Sequence, residues 1–184
     1  MSEATEAVGG TRDLPSGAVV FATQVAVAAS GRSLCALATD PPRYATVEPR
    51  LREARWLDAD APAVGSRVAV VGDIPFSIPI VRLAVGHPRG VAVLEELDLP
   101  RLLSYSLETD RASGRMTARF HDRPGGCLVE VRGWIVPHSR LGQVLLASLG
   151  GALRPLAEAA IRRGVSRAAA AARDTQCDQS WSGG

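Results

Sequence analysis

The spacing of hydrophobic positions changes once along this chain. From Gly17 to about residue 137, apolar and polar side chains alternate in short segments separated by Gly, Pro, Asp and Ser, which is the period of half-buried strands. From Leu141 to Ala172, apolar residues recur every three or four positions, which is the period of one helix face. The pattern therefore predicts many strands followed by one long helix.

The predicted elements follow a simple order. A first strand over 17–30 is followed by two short helices over 33–39 and 43–50, separated by Asp40-Pro41-Pro42, because a residue before proline avoids the helical region. Six or seven further strands are predicted from the segments 52–57, 65–71, 78–85, 91–97, 102–108, 115–122 and 127–136. Their connections are short and contain no helix, so these strands should form an antiparallel meander.

The long helix is predicted to be amphipathic. Its apolar face is expected to comprise Leu141, Leu145, Leu149, Leu153, Leu156, Ala160, Ile161, Val165 and Ala168. The opposite face is expected to be solvated and carries Arg154, Glu158, Arg162, Arg163 and Arg167. A helix over 141–172 would span roughly 48 Å, so breaks are expected at Gly150-Gly151, Pro155 and Gly164.

These elements predict an α+β fold in which the long helix lies in the hollow of a curved antiparallel sheet of about seven strands. One domain is expected over 17–172, with disordered polar tails over 1–16 and 173–184. The chain contains only three Trp, two Tyr and three Phe. So few bulky side chains against so much Ala, Val and Gly favour a cavity between the sheet and the helix.

Composition removes several classes of function. The net charge of +2 gives no electrostatic reason to expect nucleic acid as a partner. All 21 basic residues are arginine, so a lysine Schiff base is excluded. The three cysteines lie far apart and match no metal or disulfide spacing, and no cofactor is expected. The sequence shows no signal peptide and no apolar run of about 20 residues, so a cytoplasmic monomer or homodimer is expected.

Several segments, in their order, resemble the START-related superfamily that includes the polyketide cyclase/dehydrase group. The resemblance covers roughly 17–172. It rests on the strand and helix pair over 25–58, the Gly-rich AVGSRV at 63–68, LDLPRLLSYSLE at 97–108, GGCLVEVRGWIVP at 125–137, and the helix over 141–165. It implies a helix-grip fold that binds a hydrophobic small molecule between the long helix and the sheet.

Strand alternation then identifies candidate ligand contacts, because every second side chain faces the same side. The predicted contacts are Tyr44, Ile80, Leu103, Ala118, Phe120, Val131, Gly133, Leu145, Leu149 and Leu153. Tyr44 matches the place where the family puts an aromatic residue at the cavity mouth. The alternative for Tyr44 is a packing contact between the two short helices.

Three residues are candidates for catalysis. Arg82 interrupts an otherwise apolar segment and, by resemblance to aromatase/cyclases, would hold a polyketide oxygen, unless that side of the strand is solvated. Tyr105 could donate its hydroxyl to a carbonyl, or could be a core residue with its hydroxyl at the rim. His121 has suitable acid–base chemistry near neutral pH, or is simply solvated at a strand end.

The leading hypothesis is that the chain folds a polyketide-like molecule in an apolar cavity and promotes its cyclisation or dehydration. A second hypothesis is a non-catalytic carrier or sensor of a lipid-like ligand, which needs the cavity but no acid–base group. A third is a partner-binding protein whose cavity is collapsed.

Overall fold

The computed structural model describes residues 17–58, 61–72 and 88–181, apart from the side chains of 145, 149, 150 and 174–181. The expected tail over 1–16 and the expected strand over 78–85 lie outside these ranges.

The described elements follow the predicted order. They are β1 (Val19–Val27), α1 (Gly31–Ala38), α2 (Pro41–Val47), β2 (Leu51–Trp56), β3 (Arg67–Gly72), β4 (Arg89–Asp98), β5 (Leu102–Thr109), β6 (Ala112–Arg123), β7 (Gly126–Pro137) and α3 (Arg140–Trp181). α2 begins earlier than predicted because proline suits the first helical turn. The side chain of Asp40 caps α2 by accepting from the Arg43 N–H.

The strands form one antiparallel sheet of seven described strands in the order β1-β7-β6-β5-β4-β3-β2. The chain thus returns β7 beside β1 and places β2 at the far edge. With α1, α2 and the long α3, this is the helix-grip fold of the α+β class, as predicted.

We call the sheet surface that packs against α3 the inner face. The inner-face residues Phe21, Leu103 and Val131 belong to one buried cluster with Leu153 and Ala157 of α3. In-register partners of neighbouring antiparallel strands point to the same side of the sheet. Successive side chains along a strand alternate between the inner and the outer face, so the register assigns the paired strand residues to one of the two faces.

The buried face of α3 differs from the predicted one. Among the described side chains of α3, the buried apolar ones are Leu146, Leu153, Ala157, Ala160, Ala168, Ala169 and Ala172. The predicted Leu153, Ala160 and Ala168 are thus confirmed, and the predicted Ile161 and Val165 are partly buried against the core. Leu141 and Leu156, predicted to be buried, are 68% and 52% exposed, so that part of the prediction was wrong. Five of the seven buried residues are alanines, whose small side chains let the helix approach the sheet and α1 closely.

α3 bends by 94° between its segments Arg140–Ser148 and Gly151–Arg173. The bend coincides with the predicted break at Gly150-Gly151, whereas Pro155 and Gly164 lie inside the second segment. The helix also continues to Trp181, beyond the predicted end at Ala172. No single described helix has the length and hydropathy of a membrane span, although the two bent segments together reach that composition.

Candidate functional site

One row of side chains crosses the middle of the inner face. Leu94 of β4 pairs with Tyr105 of β5, which pairs with Met116 of β6. Met116 pairs with Gly133 of β7, and Gly133 pairs with Phe21 of β1. Leu94 is fully buried, yet Met116 is 41% exposed. Met116 therefore leaves an apolar side chain accessible on the face that packs against the helix.

The neighbouring rows contain most of the predicted ligand contacts. Leu103, Ala118 and Val131 are in register across β5, β6 and β7, and Phe120 pairs with Val129 one row further along. Leu103, Phe120 and Val131 are buried, and Ala118 is half-buried. The predicted faces of these strands are therefore confirmed, while the role of the residues in binding stays a prediction.

Gly133 does not lie open to a ligand, because the ring of Phe21 covers it. A Cβ at residue 133 would stand 2.7 Å from Phe21 Cζ and would also collide with the carbonyl oxygen of Arg115. Glycine is thus needed for the close approach of β6 and of the Phe21 ring. The side chain that occupies this point of the inner face is Phe21, which is itself buried. Sequence reasoning placed it on the first strand without assigning it to the site.

Tyr105 carries the polar group of the central row. Its hydroxyl donates to the carbonyl oxygen of Ala38, at the end of α1, over a long distance of 3.4 Å. Burial raises the pKa of Tyr105 to about 12, and the nearby Cys35 and Tyr44 add to the effect. The hydroxyl therefore stays protonated and can donate a hydrogen bond at any ordinary pH.

Two further groups that can donate hydrogen bonds, the Cys35 thiol and the Tyr44 hydroxyl, lie near Tyr105 on the two short helices. Cys35 of α1 is fully buried, and burial raises the pKa of its thiol to about 11. Tyr44 of α2 packs against the core cluster, and burial, followed by the charge of Glu48, raises its pKa. All three groups are neutral at pH 7, which suits them to hydrogen bonding and not to proton abstraction.

α1 is held over the sheet by an acid on β6. The Asp122 Oδ1 accepts from the Gly31 N–H at 2.7 Å, and the Ser30 hydroxyl oxygen accepts from the Ser33 N–H at 3.1 Å. Both interactions satisfy free N–H groups in the first turn of α1. They fix the helix whose other end meets Tyr105.

A charged cluster joins α2 to α3 beside Tyr44. Glu48 accepts from Arg50 Nε at 2.6 Å and from Arg50 Nη2 at 2.9 Å. Both carboxylate oxygens also accept from Arg167 Nη2 at 3.2 Å. Burial alone would raise the pKa of Glu48, but the hydrogen bonds and charge of Arg50, together with Arg167, outweigh it and lower the pKa.

Sequence reasoning missed this charged cluster. It placed Arg167 on a solvated helix face, and it had no means of pairing that residue with Glu48, 119 positions earlier. The sequence offered only the Glu-x-Arg pattern at the end of the second predicted helix, which places a carboxylate beside an arginine but does not identify Arg167 as a partner. Arg162, also assigned to the solvated face, donates to the Thr23 hydroxyl on β1 at 2.8 Å.

The remaining predicted residues divide into three groups. His121 lies on the outer face of the sheet, exposed and 3.8 Å from Glu130, so it is not brought together with Tyr105. Arg82 and Ile80 fall outside the described residues, and so do the side chains of Leu145 and Leu149. Leu153 is buried in the core cluster, as expected of an inward-facing helix residue.

No three His, Cys, Asp or Glu side chains gather into a metal-binding group within the described part of the chain.

The sequence over residues 18–173 matches the family described as polyketide cyclase / dehydrase and lipid transport. No curated protein sequence matches the chain.

Solved structures share the fold at low sequence identity. The Zhui aromatase/cyclase from Streptomyces sp. R1128 superimposes with a TM-score of 0.64 at 14% identity, over 85% of this chain and 94% of that one. The di-domain aromatase/cyclase StfQ of the steffimycin biosynthetic pathway gives 0.63 at 12% identity, over 86% of this chain and 52% of that one. A START superfamily protein from Mycobacterium smegmatis superimposes with a TM-score of 0.57 at 12% identity, over 79% of this chain and 96% of that one. By its sequence match over most of its length, the chain belongs to the polyketide cyclase / dehydrase and lipid transport family.

Proposed function

We propose that this chain binds a hydrophobic, polyketide-like molecule on the inner face and promotes its cyclisation or dehydration. The observation that carries the proposal is the position of the Tyr105 hydroxyl. It is a neutral donor on an apolar surface, in register with the exposed Met116. Membership of a family described by cyclisation, dehydration and lipid transport supports a ligand of this kind.

The chemistry requires little from the protein beyond folding and polarising the ligand. In such a cyclisation an enol carbon forms a bond to a carbonyl carbon, and the carbonyl oxygen takes up the negative charge. That oxygen then takes up the proton released by the enol. Dehydration removes the new hydroxyl and a neighbouring proton as water. Tyr105 would donate to the carbonyl oxygen and stabilise its developing charge, while the apolar face holds the chain folded.

The weak hydrogen bond that Tyr105 makes now is compatible with this role. At 3.4 Å the bond to Ala38 is near the limit of hydrogen bonding, so a ligand oxygen at about 2.7 Å would be the better acceptor. Exchange of one acceptor for the other leaves no donor unsatisfied.

A non-catalytic carrier is the second candidate, and one observation favours it. On the described strands, the only carboxylate in phase with the inner face is Asp122, and its Oδ1 is already bonded to Gly31. Cys35, Tyr44 and Tyr105 are all neutral. Binding needs no proton acceptor, whereas enol formation does.

Incubation with a linear poly-β-ketone analogue separates the two candidates. Products and their cyclisation pattern are followed by chromatography and mass spectrometry, with a no-protein sample for the spontaneous reaction. The proposal expects a faster reaction with one dominant product, and at least a 10-fold lower rate for Tyr105→Phe. If the ligand is bound and recovered unchanged at the spontaneous rate, the protein is a carrier. If Tyr105→Phe keeps the full rate, Tyr105 is not the polarising group.

A further inference from the structure

The cluster of Glu48, Arg50 and Arg167 holds two positive charges and one negative charge. Glu48 is almost buried, and its two oxygens accept from both guanidinium groups. One arginine suffices to neutralise a carboxylate. The second positive charge is therefore not balanced within the cluster.

Arg50 is the arginine committed to structure. Its Nε and Nη2 both donate to Glu48, and Nη2 also reaches the carbonyl oxygen of Ala160 on α3 at 3.4 Å. These bonds link the start of β2, the end of α2 and the long helix. A Cβ at Gly164 would stand 2.9 Å from Glu48 Oε2, which shows how closely the α3 backbone approaches the cluster.

Arg167 is used differently. Only its Nη2 bonds to Glu48, and its Nε is buried without an acceptor among the described residues. A buried donor without a partner is costly, and a guanidinium group presents five N–H donors in a planar fork that fits a carboxylate. The Arg167 side chain as a whole is nevertheless 41% exposed, so its remaining donors can be reached.

The cluster also borders the inner-face site. Tyr44 and Tyr105 both pack against the core cluster, while Ala168 and Ala169, which follow Arg167 in α3, are buried members of it. The charges of Glu48, Arg50 and Arg167 act on the Tyr44 hydroxyl, and Tyr44 in turn acts on Tyr105. Tyr44 is therefore close enough to both Tyr105 and the charged cluster for electrostatic interaction with each.

We propose that Arg167 binds the carboxylate end of an acidic hydrophobic ligand whose apolar body lies along the inner face. This inference rests on the proposed function and narrows it, because it selects acids over neutral molecules of the same shape. The ligand carboxylate would accept hydrogen bonds from the Arg167 N–H groups that do not bond to Glu48, while Glu48 keeps its bonds to Arg50.

A matched pair of fluorescent probes tests this directly. The acid is 11-(dansylamino)undecanoic acid and the neutral control is its methyl ester, each titrated into the full chain. Wild-type protein is expected to bind the acid about 10-fold more tightly than the ester, or about 1.4 kcal/mol. In Arg167→Gln the two affinities should become equal with ester binding unchanged, whereas Arg163→Gln, an exposed arginine on the same helix, should behave as wild type.

The outcomes separate the two proposals. Equal affinities in wild type, or a preference for the acid that survives in Arg167→Gln, would overturn the role of Arg167 and leave the inner-face site standing. Failure of both probes to bind would contradict the proposed function itself. If Arg167→Gln does not fold, the Arg167 Nε–H signal in a ¹⁵N spectrum of wild type decides, with its assignment taken from Arg167→Lys. That signal must shift with the acid and not with the ester, and an unmoved signal overturns the proposal.

Discussion

The ring of Phe21 lies where the side chain of any residue other than glycine at position 133 would stand, with Phe21 Cζ 2.7 Å from the ideal Cβ position. This contact closes the β1 side of the central row, and it leaves Met116 and Tyr105 as the open part. Phe21 packed onto Gly133 therefore occupies the β1 side of the inner-face row.

Gly133→Ala should destabilise the fold by about 1–3 kcal/mol, because the new methyl group must displace both the Phe21 ring and the β6 backbone. The free energy of unfolding from urea titration measures the effect. Gly151→Ala is the matched control, since a Cβ there meets nothing within 4 Å and lies in a helix. It should be neutral or stabilising by about 0.5–1 kcal/mol. An unchanged stability in Gly133→Ala would show that Phe21 does not pack as described.

Leu153 and Leu156 test which face of α3 is buried. Leu153→Ala should cost about 2–5 kcal/mol because it leaves a cavity in the core cluster. Leu156→Ala should change the free energy of unfolding by less than about 0.5 kcal/mol, because that side chain is mostly in solvent. An equal decrease in the free energy of unfolding for the two variants would contradict the structure and support the apolar face predicted from the sequence.

Strands and faces were predictable, whereas close contacts between distant residues were not. Alternation alone placed Leu103, Ala118 and Val131 on one face, because a side-chain period of two leaves only one choice once the strand is recognised. Helix periodicity did not identify the buried face of α3 fully, because alanines and leucines both recur at helical spacing and either set could be the buried one. The pairing of Glu48 with Arg167 depends on how α2 meets α3, which no local pattern encodes.

The pKa of Glu48 predicts the pH dependence of stability. Its pKa is lowered in the folded chain, so the unfolded chain takes up the proton first as the pH falls. The stabilising contribution is therefore fully present above the ordinary carboxyl pKa and is lost as the pH falls through the lower folded value. Melting temperatures of wild type should decline over that acid range, and Glu48→Gln should show a smaller decline from a lower starting value.

Glu53→Gln is the control for that experiment. Glu53 is well exposed in its ion pair with Arg55, so its loss should leave the pH profile of the melting temperature unchanged. A Glu48→Gln profile parallel to that of wild type would mean that the cluster does not hold Glu48 ionised.

The raised pKa of Tyr105 predicts that ligand affinity does not depend on pH near neutrality. Because burial raises the pKa of Tyr105 to about 12, its hydroxyl remains protonated between pH 6 and 9, and the affinity for a ketone ligand should stay constant over that range. Tyr105→Phe should weaken ketone binding about 2- to 12-fold, the equivalent of one hydrogen bond of about 0.5–1.5 kcal/mol. The matching hydrocarbon should bind both proteins equally, and a loss for both ligands would indicate altered packing instead.

Met116 offers the most direct test of the inner-face site. The sequence contains two methionines, so ¹³C-methyl labelling gives at most two signals, and Met116→Leu identifies the one of interest. Titration of wild-type protein with a hydrophobic ketone should shift the Met116 methyl resonance progressively, with the same dissociation constant as fluorescence binding. Saturable binding of that ligand with the Met116 resonance unmoved would contradict the placement of the ligand on the inner face.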